Sequence, residues 1–287
     1  MDINSICVCG AGTMGRGIAL SAARAGYFTL LFDLSPAALD KADSEIKKQL
    51  QEAVARKKMT AEQSRSTLEH LHYTSDLQTC LADIFIEAIV ENTAAKANLF
   101  NQLAELNHSE CIFASNTSSL PITEIAAAVN HPGRVIGLHF FNPADRMPLV
   151  EIVVGKQTNQ ATVDATAALA RAIGKTPVFC QDSPGFIVNR VARPYYIEAL
   201  RMVEEGADPA QIDRIMEASG FRMGPFRLMD LIGHDINYAV SASVYEQLGR
   251  PERLKPSPLQ QQKVETGQLG RKSGQGFYNY DAPPGKP

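Results

Sequence analysis

His139 and Glu151 are the residues whose types and spacing could most readily do chemistry. They stand in His139-Phe-Phe-Asn-Pro-Ala-Asp-Arg-Met-Pro-Leu-Val-Glu151, where apolar runs at 134–141 and 149–155 flank a polar, proline-containing segment. That is the pattern of two strands joined by a short loop. If Phe141 and Leu149 close the loop, the ladder is symmetric about Asp145 and His139 falls directly opposite Glu151. Opposed residues in an antiparallel pair share a face, with Cβ atoms roughly 4.5 to 5.5 Å apart. An imidazole beside a carboxylate is held in one tautomer and its protonated form is stabilised, as a general acid/base near neutral pH requires. Taken alone, most such pairs are structural, so the weight falls on the elements around them.

The first of those elements is a strand-like run at 5–9, followed by Gly10-Ala-Gly12-Thr13-Met14-Gly15 and an alanine-rich helix ending at Gly26. In the dinucleotide fingerprint Gly10 permits the tight turn, Gly12 lets the backbone approach the pyrophosphate, and Gly15 lets the helix pack on the strand. Around Thr13 and Met14 the helix N-terminus offers N–H groups to phosphates. A second strand, 28–32, ends in Asp33, about 20 residues past the glycines, where a carboxylate would bind the ribose hydroxyls and repel a 2′-phosphate. NAD is therefore favoured over NADP. Further along, a buried strand at 83–90 leads into Glu91-Asn-Thr-Ala-Ala-Lys96, and another at 111–115 ends in Ser115-Asn-Thr-Ser118-Ser. That polar cluster lies at a strand's carboxyl end, where open α/β sheets bind ligands, although Ser, Thr and Asn are also ordinary helix caps.

Composition excludes several other classes. The chain has 287 residues, 45% of them hydrophobic, enough for a full core in one large or two ordinary domains. A formal net charge of -3 and no sustained basic stripe beyond Arg56-Lys57-Lys58 argue against nucleic acid as a partner. No apolar run approaches the roughly 18 residues of a membrane span, so a soluble, cytoplasmic protein without a targeting segment is expected. The five cysteines form no CxxC and interleave with no His, so they read as reduced core residues, with no metal site.

After a strand at 176–180 the alternation of strand and helix ends, and Asp182-Ser-Pro184-Gly185 marks a boundary between residues 1–183 and 184–287. From Phe186 the pattern is helical, with a run to about Glu205 kinked at Pro194, then helices at 208–220, 225–232 and 235–248. The expected fold is α/β, a Rossmann-type mostly parallel sheet with an antiparallel hairpin, followed by an all-α C-terminal domain. Asn189, a poor helix former in the first turns of that domain, hints at a polar task or is a plain surface amide. The tail Gly270-Arg-Lys272-Ser-Gly-Gln-Gly-Phe-Tyr-Asn-Tyr is glycine-rich, basic and then aromatic.

With these residues in hand, the chain resembles the L-3-hydroxyacyl-CoA dehydrogenase family, in the single-module form similar to bacterial 3-hydroxybutyryl-CoA dehydrogenases. The blocks that carry the resemblance run in family order over nearly the whole length: Gly-Ala-Gly-Thr-Met-Gly, Glu-Ala-Ile-Val-Glu-Asn, Ser-Asn-Thr-Ser-Ser, Leu-His-Phe-Phe-Asn-Pro, Leu-Val-Glu-Ile, Ser-Pro-Gly-Phe-Ile-Val-Asn-Arg, Met-Gly-Pro-Phe and Gly-Arg-Lys-Ser-Gly-Gln-Gly-Phe-Tyr. The resemblance implies that His139 is the general base for the 3-hydroxyl of a coenzyme A thioester and that Glu151 supports it. Ser118 and Asn189 would hydrogen-bond the reacting oxygen or the histidine, with Asn189 of the helical domain across a cleft from the pair. Glu91, Lys96, Asn142 and Lys272 match family cofactor contacts, Lys96 also lies near coenzyme A, and Arg56 stands where a family lysine meets the coenzyme A phosphates. The helical domain would make a homodimer.

Two departures from the family pattern bear on substrate choice. Thr93 stands where many members have Leu, and Ala144-Asp145-Arg146-Met147-Pro148 replaces a Val-Pro-Val-Met-Lys-like loop. Short-chain substrates such as 3-hydroxybutyryl-CoA are the first expectation. Arg146, with the similarity of Arg190-Val-Ala-Arg-Pro-Tyr-Tyr196 to phenylacetate-pathway members, raises a substrate with a distal carboxylate, 3-hydroxyadipyl-CoA. A gulonate-type hydroxy-acid dehydrogenase without coenzyme A and a non-catalytic NAD-binding protein are the remaining alternatives.

Overall fold

The computed structural model describes residues 3–280. These divide at Ser183/Pro184 into two compact units. The first is built on an eight-stranded sheet of order β3-β2-β1-β4-β5-β6-β7-β8. In chain order its elements are β1 (Ser5–Cys9), α1 (Thr13–Arg24), β2 (Phe28–Phe32), α2 (Pro36–Ala55), α3 (Ala61–Glu69), β3 (Leu71–Thr74), β4 (Ile84–Glu87) and α4 (Thr93–Leu106). There follow β5 (Ile112–Ser115), α5 (Ile122–Ala127), β6 (Val135–Phe140), β7 (Leu149–Val154), α6 (Gln160–Ala172) and β8 (Thr176–Gln181). All neighbouring strands are parallel except β6 and β7, which is the mostly parallel sheet with one antiparallel hairpin expected from the sequence. The short strand β3 had no counterpart in the sequence reading.

Strand periodicity sorts the core into two layers. Ile6 and Val8 of β1 with Ile84 and Ile86 of β4 join Ile18 and Leu20 of α1 and Ile46 and Leu50 of α2 in one buried apolar cluster. At alternate positions Phe85 stacks on Phe113, which meets Phe100 of α4. Small residues let α1 lie close, and the Thr60–Gln63 capping box starts α3 as its sequence signature predicts. The cysteines are free, four of them buried. Among the described residues no helix is long and apolar enough to cross a membrane.

The second unit is helical: α7 (Val188–Glu204, with Pro194 inside it), α8 (Pro209–Ala218), α9 (Pro225–Ile232), α10 (His234–Gln247) and α11 (Pro258–Glu265). Two buried carboxylates tie its tail to these helices. Asp230 accepts from Phe277 N (2.9 Å), Tyr278 N (3.0 Å) and Tyr280 Oη (3.0 Å) and lies 2.8 Å from His234 Nε2. Asp213 accepts from Phe226 N (2.9 Å) and Tyr278 Oη (2.6 Å).

Burial alone would raise the Asp230 carboxyl, but the His234 hydrogen bond and the backbone donors outweigh it and hold the group below its ordinary value. A depressed carboxyl contributes stability that is present above its unfolded pKa of about 3.9 and is lost as pH falls through the lower folded value. Asp230→Asn is therefore expected to cost about 2–3 kcal/mol at pH 7. Urea unfolding should also show a shallower loss of stability below about pH 4 in this variant than in wild type. Equal acid slopes would contradict the assignment.

Candidate active site

The glycine turn is shaped by what its neighbours leave no room for. A Cβ on Gly10, whose φ is +106°, would lie 2.6 Å from Ala88 O, and one on Gly15 would lie 1.7 Å from Gly10 O. These two glycines are therefore obligatory packing positions between β1, β4 and α1. Gly12 differs, because a Cβ there would meet nothing within 4 Å. It is the N-cap of α1 with no side-chain cap, so Thr13, Met14 and Gly15 open a helix whose first N–H groups receive no capping side chain. Asp33 at the end of β2 accepts from Ala11 N (2.8 Å) and Ser35 N (2.9 Å), which fixes its carboxylate beside the turn. Open space over Gly12, an uncapped helix start and an anchored acid fit a dinucleotide.

The hairpin sets the second part of the site. His139 pairs with Glu151 in the register expected from the loop symmetry, and His139 Nδ1 lies 2.7 Å from Glu151 Oε2, with both residues buried. The Phe141 ring packs 4.6 Å from the imidazole. Next to the pair, Asn116 Oδ1 accepts from Phe140 N (2.9 Å), which fastens the 115–119 loop to β6. Burial, with the Glu151 and Asp182 charges, pushes the Cys180 thiol up to about 12, so it is protonated at neutral pH and no nucleophile.

In the 115–119 loop, Glu91 collects donors. Its Oε1 accepts from Thr117 Oγ1 (2.5 Å), Ser118 N (3.2 Å) and Ser119 Oγ (3.1 Å). Burial works to raise Glu91, yet the Lys96 ammonium and the hydrogen bonds from Thr117, Lys96 and Ser119 hold it below the usual carboxylate range. Lys96 is only 1% exposed and bridges Glu87 (2.6 Å) and Glu91 (3.1 Å). It thus meets carboxylates of its own unit instead of standing out as a surface cation. Glu87 was not singled out from sequence; the available signal was a glutamate in an otherwise apolar parallel strand, which needs a buried partner.

The remaining predicted residues fall at the end of α2, in the 142–148 loop and in the second unit. Arg56, the C-cap of α2, lines a cavity of ≈1020 Å³ together with Arg24, Gln49, Lys58, Asp145 and Arg146. Lys175 holds the wall of that cavity, donating to Ala144 O (2.6 Å) and Met147 O (3.0 Å), while Asp145 bonds Gln49. Arg146 is 72% exposed and shares this cavity with Arg56. Asn142 is exposed at the start of the same loop. Asn189 and Lys272 belong to the second unit, where Asn189 O accepts from Arg193 Nε (3.0 Å) and Lys272 Nζ lies 2.6 Å from Asp235 Oδ2.

Residues 5–183 match the 3-hydroxyacyl-CoA dehydrogenase NAD binding domain and residues 185–280 the C-terminal domain of the same enzymes. The chain belongs to the 3-hydroxyacyl-CoA dehydrogenase family. It is 46% identical over 285 residues to the 3-hydroxyadipyl-CoA dehydrogenase of Escherichia coli (strain K12), covering 98% of this chain but only 60% of that protein. It is 43% identical to a probable 3-hydroxybutyryl-CoA dehydrogenase of Bacillus subtilis (strain 168), covering 98% of this chain and 99% of the relative. The crystal structure of (S)-3-hydroxybutyryl-CoA dehydrogenase PaaH1 from Ralstonia eutropha superposes with a TM-score of 0.93 at 36% identity, covering 98% of this chain and all of that one. As a 3-hydroxyacyl-CoA dehydrogenase family member, the chain uses NAD, and the glycine turn lies in its NAD-binding part.

Gly12→Ala and Gly15→Ala should separate cofactor space from packing. Ala at 12 meets no clash, so thermal stability should hold while NADH affinity, read by fluorescence titration, falls about tenfold or more. Ala at 15 should lower both. A Gly12→Ala protein binding NADH as wild type does would remove Gly12 from the pyrophosphate path.

Proposed function

We propose that this protein oxidises a (3S)-3-hydroxyacyl-CoA, of short chain such as 3-hydroxybutyryl-CoA, to the 3-ketoacyl-CoA with NAD, and runs the reverse reaction. The observation that carries this reading is the 2.7 Å contact of His139 Nδ1 with Glu151, beside the Ser118 loop, in a chain of this family. The backbone at Gly10, Gly12, Thr13, Met14 and Gly15, with Asp33, would hold the dinucleotide, joined by Glu91 and Asn142. NAD, when bound, accepts the hydride from C3 of the substrate.

With Nδ1–H donated to Glu151, the imidazole takes up the 3-hydroxyl proton at Nε2, and returns it in the reduction direction. Glu151 acts by fixing the tautomer and by favouring the imidazolium that forms. Ser118 hydrogen-bonds the oxygen whose proton is moving. The cavity with Arg24, Arg56, Lys58 and Arg146 takes the coenzyme A phosphates, because guanidinium groups match phosphate oxygens in charge and geometry. A homodimer through the helical unit 184–287 and a cytoplasmic location complete the reading; exposed Val191, Ile215, Phe221 and Ile236 in that unit support the first.

The 3-hydroxyadipyl-CoA reading is kept as second, since the E. coli relative with that name is 46% identical. NADH oxidation should be compared with acetoacetyl-CoA, free acetoacetate and 3-ketoadipyl-CoA. Turnover confined to the thioesters is expected; turnover of the free acid would favour a hydroxy-acid dehydrogenase. His139→Ala should lower kcat about 100-fold to 10,000-fold with NADH affinity intact, and a drop under about tenfold would remove His139 from proton transfer. Arg146→Ala should raise KM for both thioesters together, about tenfold as expected for one lost charged contact. A loss confined to 3-ketoadipyl-CoA would assign Arg146 to a distal carboxylate.

A further inference from the structure

A buried carboxylate at the carboxyl end of β4 stands outside the chemistry above. Glu87 is fully buried, and its oxygens are saturated by three donors from three segments. Oε1 accepts from Ile89 N (2.7 Å), just after β4, and from Lys96 Nζ (2.6 Å) in the first turn of α4. Oε2 accepts from Ser115 Oγ (2.7 Å) at the end of β5. Two routes lead from it to Ser118. One passes through Lys96 to Glu91 (3.1 Å) and so to Ser118 N (3.2 Å). The other passes through Ser115 Oγ, which accepts from Thr117 N (3.3 Å).

A buried ion pair is weak support for stability, since apolar residues of equal volume often do as well or better. What it secures is geometry, because every member of the network must keep its partner or leave a charge unpaired in a dry interior. Here that geometry is the spacing of the 88–92 segment, against which Gly10 packs with no room for a Cβ, from the 115–119 loop.

We propose that Glu87 is a positioning residue: through Lys96 and Ser115 it locks Glu91 and the 115–119 loop together, so that the Ser118 hydroxyl meets the reacting oxygen at hydrogen-bond distance. This rests on the assignment of Ser118 made above. It also gives the buried Lys96 a task, as the bridge that sets Glu91.

Glu87→Gln keeps the shape and one accepting oxygen but cannot accept from Ile89, Lys96 and Ser115 at once. At saturating NADH its kcat with acetoacetyl-CoA should fall about tenfold, the scale of one misplaced transition-state hydrogen bond, with KM for the thioester changed less than about twofold. In a Ser118→Ala background the same change should cost less than about twofold, because residues acting through one group are not additive. NADH affinity by fluorescence titration should weaken about threefold in both backgrounds, since Glu91 shifts with or without the Ser118 hydroxyl. Ser115→Ala leaves all charges in place and should show the same non-additivity with Ser118→Ala, which decides the matter if Glu87→Gln fails to fold. Fully additive kcat losses, or unchanged NADH affinity, overturn the positioning role. A Ser118→Ala enzyme with undiminished kcat would instead strike the assignment of Ser118, and the proposal with it.

Discussion

The antiparallel pairing of β6 with β7 is the constraint on which the rest of the first unit depends. Parallel strands point their carboxyl ends one way, so a sheet made only of them would not set a histidine from one strand directly against a carboxylate from its neighbour across a short loop. Reversing β7 brings Glu151 opposite His139 and lets the two share one face at 2.7 Å. A slip of one residue would turn both side chains to opposite faces and break the pair. The loop at 142–148 therefore has to be held, and Lys175 does so by donating to two of its carbonyls, while Asp145 is tied to Gln49 and Arg24.

The strand ends nearby follow the same logic. Each places one polar residue where the backbone ladder stops, and each of those residues is satisfied by a neighbouring segment. Asp33 follows β2 and holds Ala11 N; Glu87 ends β4 and holds Lys96 and Ser115; Asn116 follows β5 and holds Phe140 N. Glu87 is buried and Asp33 and Asn116 are half-buried, so each loses water that its hydrogen bonds must replace. The result is a row of strand ends whose polar members are held by protein partners, the kind of order that catalysis by orientation and one proton transfer needs.

Much of this was legible in the sequence because the signals were local. The glycine spacing, the Asp33 position, the Thr60–Gln63 cap and the symmetry of the hairpin loop each follow from residues close together in the chain, so the fold class and the His139–Glu151 register could be read directly. Contacts that depend on how the chain turns back on itself were not legible. Lys96 follows Glu91 in the first turn of α4, and only the approach of α4 to the end of β4 buries it between Glu87 and Glu91. That Arg146 lines one cavity with Arg56, about ninety residues away in the chain, shows only in the fold. The four residues of β3 carry too short a pattern to stand out without β2 beside them.

The most direct test of the central claim is the tautomer of His139, read by ¹⁵N NMR of ring-labelled protein at a pH where the imidazole is neutral. Proton uptake at Nε2 requires the neutral ring to carry its proton on Nδ1, donated to Glu151, with Nε2 as the bare acceptor, and to lose that preference in Glu151→Gln. A neutral ring protonated on Nε2 in the wild-type protein, or a spectrum indifferent to Glu151, would contradict it.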